Sequence, residues 1–219
     1  MKPTDLCVSL PLGVVLPFLA ACDGPPPPAT TERIEVRGTA IVTLRNDFTS
    51  GLVDWSVVDG VWERRSLGGE HRLAQTSTDR AFPVVLLEGR RFSDVDVTVR
   101  FRPVSGEADA SAGIVFRAHD GQNYYVVRAN SLEDNFRLYA VVDGDRRQIA
   151  GTRIDAPRLG EWHTLRVTAV GSRIQAYLGG RLLIDHRDER FREGLVGLWT
   201  KADAVTEFDD LEIGGVPSD

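Results

Sequence analysis

The side chains that could do chemistry in this chain of 219 residues are acids, arginines and aromatic rings. Their spacing argues against most enzyme mechanisms. A retaining glycosidase needs two carboxyl groups about 5.5 Å apart, and residues at i and i+2 of a strand share a face. Asp94-x-Asp96 has that spacing, but the next residues on the face are Thr98 and Arg100. Glu107-x-Asp109 falls in a Gly/Ala/Ser-rich loop, while the neighbours Asp188-Glu189 and Asp209-Asp210 point opposite ways on an extended chain. His71, His119, His163 and His186 are scattered, with no metal-ligand spacing between any two. There is no Gly-x-Ser-x-Gly elbow, phosphate loop or dinucleotide fingerprint. With 26 basic against 32 acidic residues the net charge is -6, which repels a phosphate backbone, so nucleic acid is not an expected partner. Lys2 and Lys201 are the only lysines, and every other base is arginine.

What is left is a binding surface, and strands must position it. In residues 95–102, Val-Asp-Val-Thr-Val-Arg-Phe-Arg, apolar and polar side chains alternate strictly, the period of a half-buried antiparallel strand. Similar stretches recur at 41–44, 113–118, 124–129, 136–142, 162–170, 173–178, 181–186, 195–200 and 205–213. Turn signals separate them, among them Asp59-Gly60, Asp120-Gly121, Asp143-Gly144, Gly171-Ser172 and Gly179-Gly180. One short helical turn is expected at 188–192. So many short strands predict an all-β, two-sheet antiparallel jelly-roll sandwich.

Parity then sorts the side chains. With Ile114, Phe116 and Ala118 in the core, Arg117 faces out; with Tyr125, Val127 and Ala129 in the core, Tyr124 and Arg128 face out. By the same step Asp96 and Arg100 leave the core of Val95, Val97 and Val99, and Arg137 and Tyr139 leave that of Phe136, Leu138 and Ala140. Val196 and Leu198 inward put Trp199 outward. Rings that cover the apolar side of a sugar, with arginine and aspartate for its hydroxyls, are what a saccharide site needs. Parity does not say which strands are neighbours, so solvated strand surface stays the alternative.

The first 33 residues of the chain read as address rather than fold. After Lys2 comes an apolar run over 6–21, broken by Pro11 and Pro17 and too short to span a bilayer. Leu19-Ala20-Ala21-Cys22 resembles the lipobox of bacterial lipoproteins. The resemblance implies cleavage of residues 1–21 and acylation of Cys22, with Cys7 lost in the signal peptide. Residues 22–33 hold the prolines 25–28, a polyproline II spacer. The folded domain is expected over 34–214, with 215–219 a tail. Without a thiol beyond Cys22 it can hold no disulfide. The location implied is the bacterial cell envelope, outside the cytoplasm, with the membrane as partner through lipid.

An ordered set of segments carries a second resemblance: Asp47-Phe48, Asp59-Gly60-Val61-Trp62, Phe92-Ser93-Asp94-Val95, Ser111-Ala112-Gly113-Ile114, Gly160-Glu161-Trp162, Gly194-Leu195-Val196-Gly197-Leu198-Trp199 and Phe208-Asp209-Asp210-Leu211. Their succession looks like concanavalin A-like (laminin G-like) jelly rolls, and within them is similar to the 3-keto-disaccharide hydrolase domain group. It implies a carbohydrate-binding or surface-interaction domain, the alternative being a glycan-processing hydrolase or lyase acting on a (3-keto-)disaccharide or glycoside. A single acid, or His119 beside Arg117, would then carry the chemistry, because the three-acid strand of family-16 glycoside hydrolases is missing its third member. The likeness also implies a structural calcium, for which Asp47, Asp209 and Asp210 offer oxygen ligands; no other cofactor is expected.

Overall fold

The computed structural model describes residues 41–218. The signal segment, Cys22 and the spacer lie outside the described residues. Among those described, the period-two pattern becomes fourteen strands and no helix. In chain order they are β1 (Val42–Asn46), β2 (Trp55–Asp59), β3 (Trp62–Leu67), β4 (Glu70–Gln75), β5 (Val84–Ser105), β6 (Ser111–Ala118), β7 (Tyr124–Asn130), β8 (Asn135–Val142), β9 (Asp145–Arg153), β10 (His163–Val170), β11 (Arg173–Leu178), β12 (Arg181–Arg187), β13 (Gly194–Trp199) and β14 (Val205–Ser218).

All pairings are antiparallel, and β5, 22 residues long, is the seam of the molecule. Its residues 84–87 pair with β2 and β13; beyond Gly89, held at φ 80°, residues 91–105 pair with β14 and residues 95–101 with β10. A first sheet therefore runs β2, β5, β13, β6, β7, β8, β9, and a second runs β12, β11, β10, β5, β14. β1 and β4 share the far edge of β14, and β3 pairs with β4.

The core lies between the two sheets. Val85, Phe116, Tyr125, Leu138 and Leu198 come from the first; Val97, Phe101, Val167, Phe208 and Ile213 come from the second. Each such side chain taken fully out of water contributes roughly 1.5–3 kcal/mol. Two of the expected turns show the backbone their residues were chosen for. Asp143 and Gly144 have φ of 50° and 79°, and Gly179 and Gly180 of 56° and 79°, the paired left-handed conformation of a two-residue hairpin.

Three expectations fail here. Residues 188–192 form a bend rather than a helical turn, because the Asp188 carboxylate accepts the Arg190 backbone N–H at 2.9 Å and the Tyr125 hydroxyl. Residues 215–218 are not a tail: β14 continues, with Pro217 opposite Phe92 and Ser218 opposite Arg91. Strands β2, β3, β4 and β9 are additional. In β3 only Trp62 is buried, so alternation could not reveal it.

Candidate functional site

The outer face of the first sheet is where alternation sends Tyr124, Val126 and Arg128 of β7, Arg137, Tyr139 and Val141 of β8, Val115 of β6 and Trp199 of β13. The face is apolar at its centre. Val84, Leu86, Val115, Tyr124, Val126, Tyr139, Val141 and Trp199 form a second buried cluster, separate from the inter-sheet core. Trp199 lies flat across it because its neighbour in register is Gly113: a Cβ there would meet Trp199 Cε3 at 3.2 Å and the Val127 carbonyl at 2.9 Å. Phe82, from the loop before β5, stacks on Trp199 with ring centres 5.8 Å apart. Arg146, at the start of β9, closes the group from the other side. Its guanidinium carbon stands 4.6 Å from the Phe82 ring centre, 4.4 Å from Tyr139 and 5.6 Å from Trp199.

Beside the rings sits a set of charged groups delivered by loops. The tight turn at Gly106, where a Cβ would fall 1.7 Å from the Asp109 carbonyl oxygen, turns the chain toward β6. The Asp203 carboxylate accepts the backbone N–H groups of Glu107, Ala108 and Asp109 at 2.6–3.1 Å, and these N–H groups hold its pKa below the usual range. So fixed, Asp109 is 0% exposed. Its Oδ2 accepts from Lys201 Nζ at 2.9 Å and Asn130 Nδ2 at 3.0 Å. Arg128, 3% exposed, donates from Nη2 to Glu133 Oε2 at 3.1 Å and to the Tyr139 hydroxyl at 3.3 Å. The Asn135 amide first, and Arg128 with it, pull the Glu133 pKa down. Burial lowers the Arg146 pKa and pushes the Tyr124 hydroxyl up to about 12, against a smaller opposing pull from the Trp199 indole and Arg146.

The unusual property of this cluster is what it leaves unmade. Asp109 Oδ1, Arg128 Nε and Nη1 and Arg146 Nη1 are buried without a hydrogen-bond partner, and Trp199 Nε1, though it leans toward the Tyr124 hydroxyl, makes no hydrogen bond of normal geometry. Each such atom costs about 1–3 kcal/mol, and buried polar groups in folded proteins are nearly always paired. Five orphaned atoms around one group of aromatic rings form a constellation that directed hydroxyl groups would satisfy.

Of the eight residues expected to bind, Tyr124, Arg128, Arg137, Tyr139 and Trp199 share this face, with Arg137 opposite Arg128 and seated over Gly151. They are not the open platform that parity suggested, since Trp199 is 0% exposed. Arg117 stands apart. It lies at an irregularity between β6 and β13, at φ 50°, and its guanidinium donates to the Ser93 and Phe191 carbonyls at 2.9 and 3.3 Å, fastening the segment before β13 to β5. Asp96 and Arg100 lie on the other sheet, because β5 has changed sheets before it reaches them. Asp96 receives Arg166 through two bonds of 2.8 and 2.6 Å, and Arg100 pairs with Asp210 at 2.9 Å. His119 meets Phe191 edge-on, 5.1 Å between centres. Sequence reasoning missed Asp109, Lys201, Arg146, Glu133 and Phe82 as site residues, four of which lie in loops and the fifth, Arg146, at a strand end, where no periodicity speaks. The signal available was Lys201, the one lysine among the arginines of the fold.

Asp47, Asp209 and Asp210 do line one pocket of about 320 Å³, together with Arg100, His71 and Trp162. They do not fit a calcium ion. Asp210 is engaged by Arg100, Asp47 accepts the Thr49 N–H at 3.0 Å, and Asp209 accepts the Asp210 N–H at 2.8 Å, with burial raising its pKa. Among the described residues no three side chains of ligating type converge, whereas calcium takes six to eight oxygens.

Known proteins share this architecture. The levanase of Bacillus subtilis is 27% identical over 168 residues, 75% of this chain and 23% of levanase, so the chain spans about a quarter of that relative. The carbohydrate binding module CBM66 from Bacillus subtilis superposes with a TM-score of 0.64 at 22% identity, covering 74% of this chain and 96% of the module. A Bacillus subtilis protein of unknown function with a galectin-like fold gives a TM-score of 0.62 at 13% identity, over 80% of this chain and 96% of that one. At these identities the solved structures speak for the fold alone. Residues 31–214 match the family model throughout, and the chain belongs to the 3-keto-alpha-glucoside-1,2-lyase-like domain family.

Proposed function

We propose that this chain is a saccharide-binding domain tethered to a membrane of the cell envelope, with its ligand held on the outer face of the first sheet. The observation that carries the reading is the convergence of orphaned polar atoms from Asp109, Arg128, Arg146 and Trp199 on an aromatic cluster. Tyr139, Trp199 and Phe82 supply apolar faces for a sugar ring, and the arginines and Asp109 supply directed hydrogen bonds. The likeness to levanase and to a carbohydrate binding module supports the same ligand class. Because the cluster is closed, binding begins with displacement of Arg146 and Phe82 from over Trp199.

Binding is preferred to turnover on the chemistry of the cluster. It contains no histidine, and its two carboxylates, Asp109 and Glu133, are each held by a cation, Lys201 and Arg128. Neither is placed as a free general base. A glycan array probed with the full chain in detergent tests the reading, repeated with Asp109→Asn and Arg128→Gln. Binding that both substitutions abolish supports it. Binding that ignores them moves the site elsewhere, and turnover of a 3-keto-disaccharide replaces a binding domain by an enzyme.

The tether rests on Leu19-Ala20-Ala21-Cys22 and the proline spacer after it. Several acyl chains, at about 0.8 kcal/mol per buried methylene, would hold the protein to a membrane durably. Cys22→Ser is expected to move it to the soluble fraction; a variant that stays with the membrane refutes acylation there.

A further inference from the structure

We infer that the saccharide held at this site carries a carboxylate, as a uronic acid does, received between Arg146 and Arg128. The inference rests on the proposed saccharide site and narrows its ligand. Its first ground is charge. Around the aromatic cluster, Lys201 is matched by Asp109 and Arg128 by Glu133, while Arg146 and Arg137 have no carboxylate partner among the described residues. Arg146 and Arg128 flank the same ring: their guanidinium carbons stand 4.4 and 5.9 Å from the Tyr139 centre. Two neighbouring guanidinium groups, one of them half-buried without a counter-ion, make a locally positive site in a protein of net charge -6. A charge taken from water without a partner is costly, and an anion removes that cost.

The second ground is the balance of donors and acceptors. Of the orphaned atoms, Arg128 Nε and Nη1, Arg146 Nη1 and Trp199 Nε1 donate, and only Asp109 Oδ1 accepts among the five. A neutral hydroxyl brings a donor with each acceptor and would leave donors facing donors. A planar carboxylate offers two acceptor oxygens and no donor, the geometry that guanidinium groups match best. Asp109 Oδ1 still needs a hydroxyl, which a bare inorganic anion lacks. One anionic group beside one sugar hydroxyl satisfies both.

Titration calorimetry on the full chain in detergent separates the possibilities. The probes are uronic-acid oligosaccharides of differing stereochemistry, the neutral methyl ester of each, and sodium sulfate. At least one acid is expected to bind about tenfold or more tightly than its ester, a difference that shrinks as salt is raised. Arg146→Gln is expected to bring acid and ester to nearly equal affinity, and Arg146→Lys to keep the acid ahead. Esters that bind as well as their acids overturn the inference and leave the saccharide reading standing. Sulfate bound as tightly as the best acid overturns the saccharide part of it. Failure of every saccharide, charged or neutral, with the protein folded, removes the site beneath both.

Discussion

The two outer faces of the sandwich are made of the same residue types and spend them differently. On the second sheet, Arg166 pairs with Asp96, Arg173 with Asp185 and Arg45 with Glu212, all on partly exposed side chains. Where that face buries charge it pairs it: Glu207 sits among Arg65, Arg72 and Arg102, beside the Trp162 ring, and of these arginines only Arg72 keeps a buried nitrogen, Nε, without a hydrogen bond. On the first sheet the aromatics are buried and the polar atoms beside them go unpaired. An arginine-rich face held in ion pairs is a solvated surface, and the proposed site is where several orphaned donors converge on buried rings. Residue type does not distinguish them; the state of the hydrogen bonds does.

Substitutions on the two faces should therefore part stability from binding. Trp199→Ala empties the centre of the first face and should cost roughly 3–5 kcal/mol in a denaturant melt together with loss of saccharide binding. That size makes it a poor probe of binding alone. Glu207→Ala leaves buried Arg72 and half-buried Arg102 without their carboxylate and should cost about 3 kcal/mol, yet leave saccharide affinity unchanged. A loss of affinity there would dissolve the contrast between the faces.

Acid should loosen the first face through Asp203, whose three accepted N–H groups hold the Asp109 loop. Its folded pKa lies below the ordinary 3.8, so its contribution is complete above that value and is lost as pH falls through the lowered one. The stability difference between wild type and Asp203→Asn should be constant above about pH 5 and vanish at lower pH. A difference that instead grew in acid would show that the carboxylate is not the form the loop needs. Least affected should be Asp96→Asn, which opens a half-exposed pair with Arg166. A shift below about 1 kcal/mol and no change in binding are expected.

Much of this was legible before any coordinates. Strict alternation gave the all-β sandwich and turned Tyr124, Arg128, Arg137, Tyr139 and Trp199 away from the core, and the strand order then brought them to one face. It failed where geometry departs from a regular strand. Arg117 occupies an irregularity with a left-handed backbone, which no pattern of apolar residues reports. Asp96 and Arg100 have the right parity on the wrong sheet, since one continuous strand serves both sheets and only Gly89 marks the crossing. Asp109 and Lys201 come from turns, placed by backbone hydrogen bonds rather than by periodicity. Gly113 opposite Trp199 is a clue of another kind: a glycine inside a strand marks where another group must lie close.

The central claim is that the orphaned atoms of the first face are the ligand site, and the indole N–H resonances of the four tryptophans report on it directly. Trp199 Nε1 belongs to the first face; Trp162, beside the ion-paired arginines of the second, is the internal control. Titrating a bound saccharide into the labelled protein should move the Trp199 resonance, with those of Trp162, Trp55 and Trp62 staying in place. Movement of Trp162 with Trp199 unmoved would place the ligand on the other sheet and contradict the assignment.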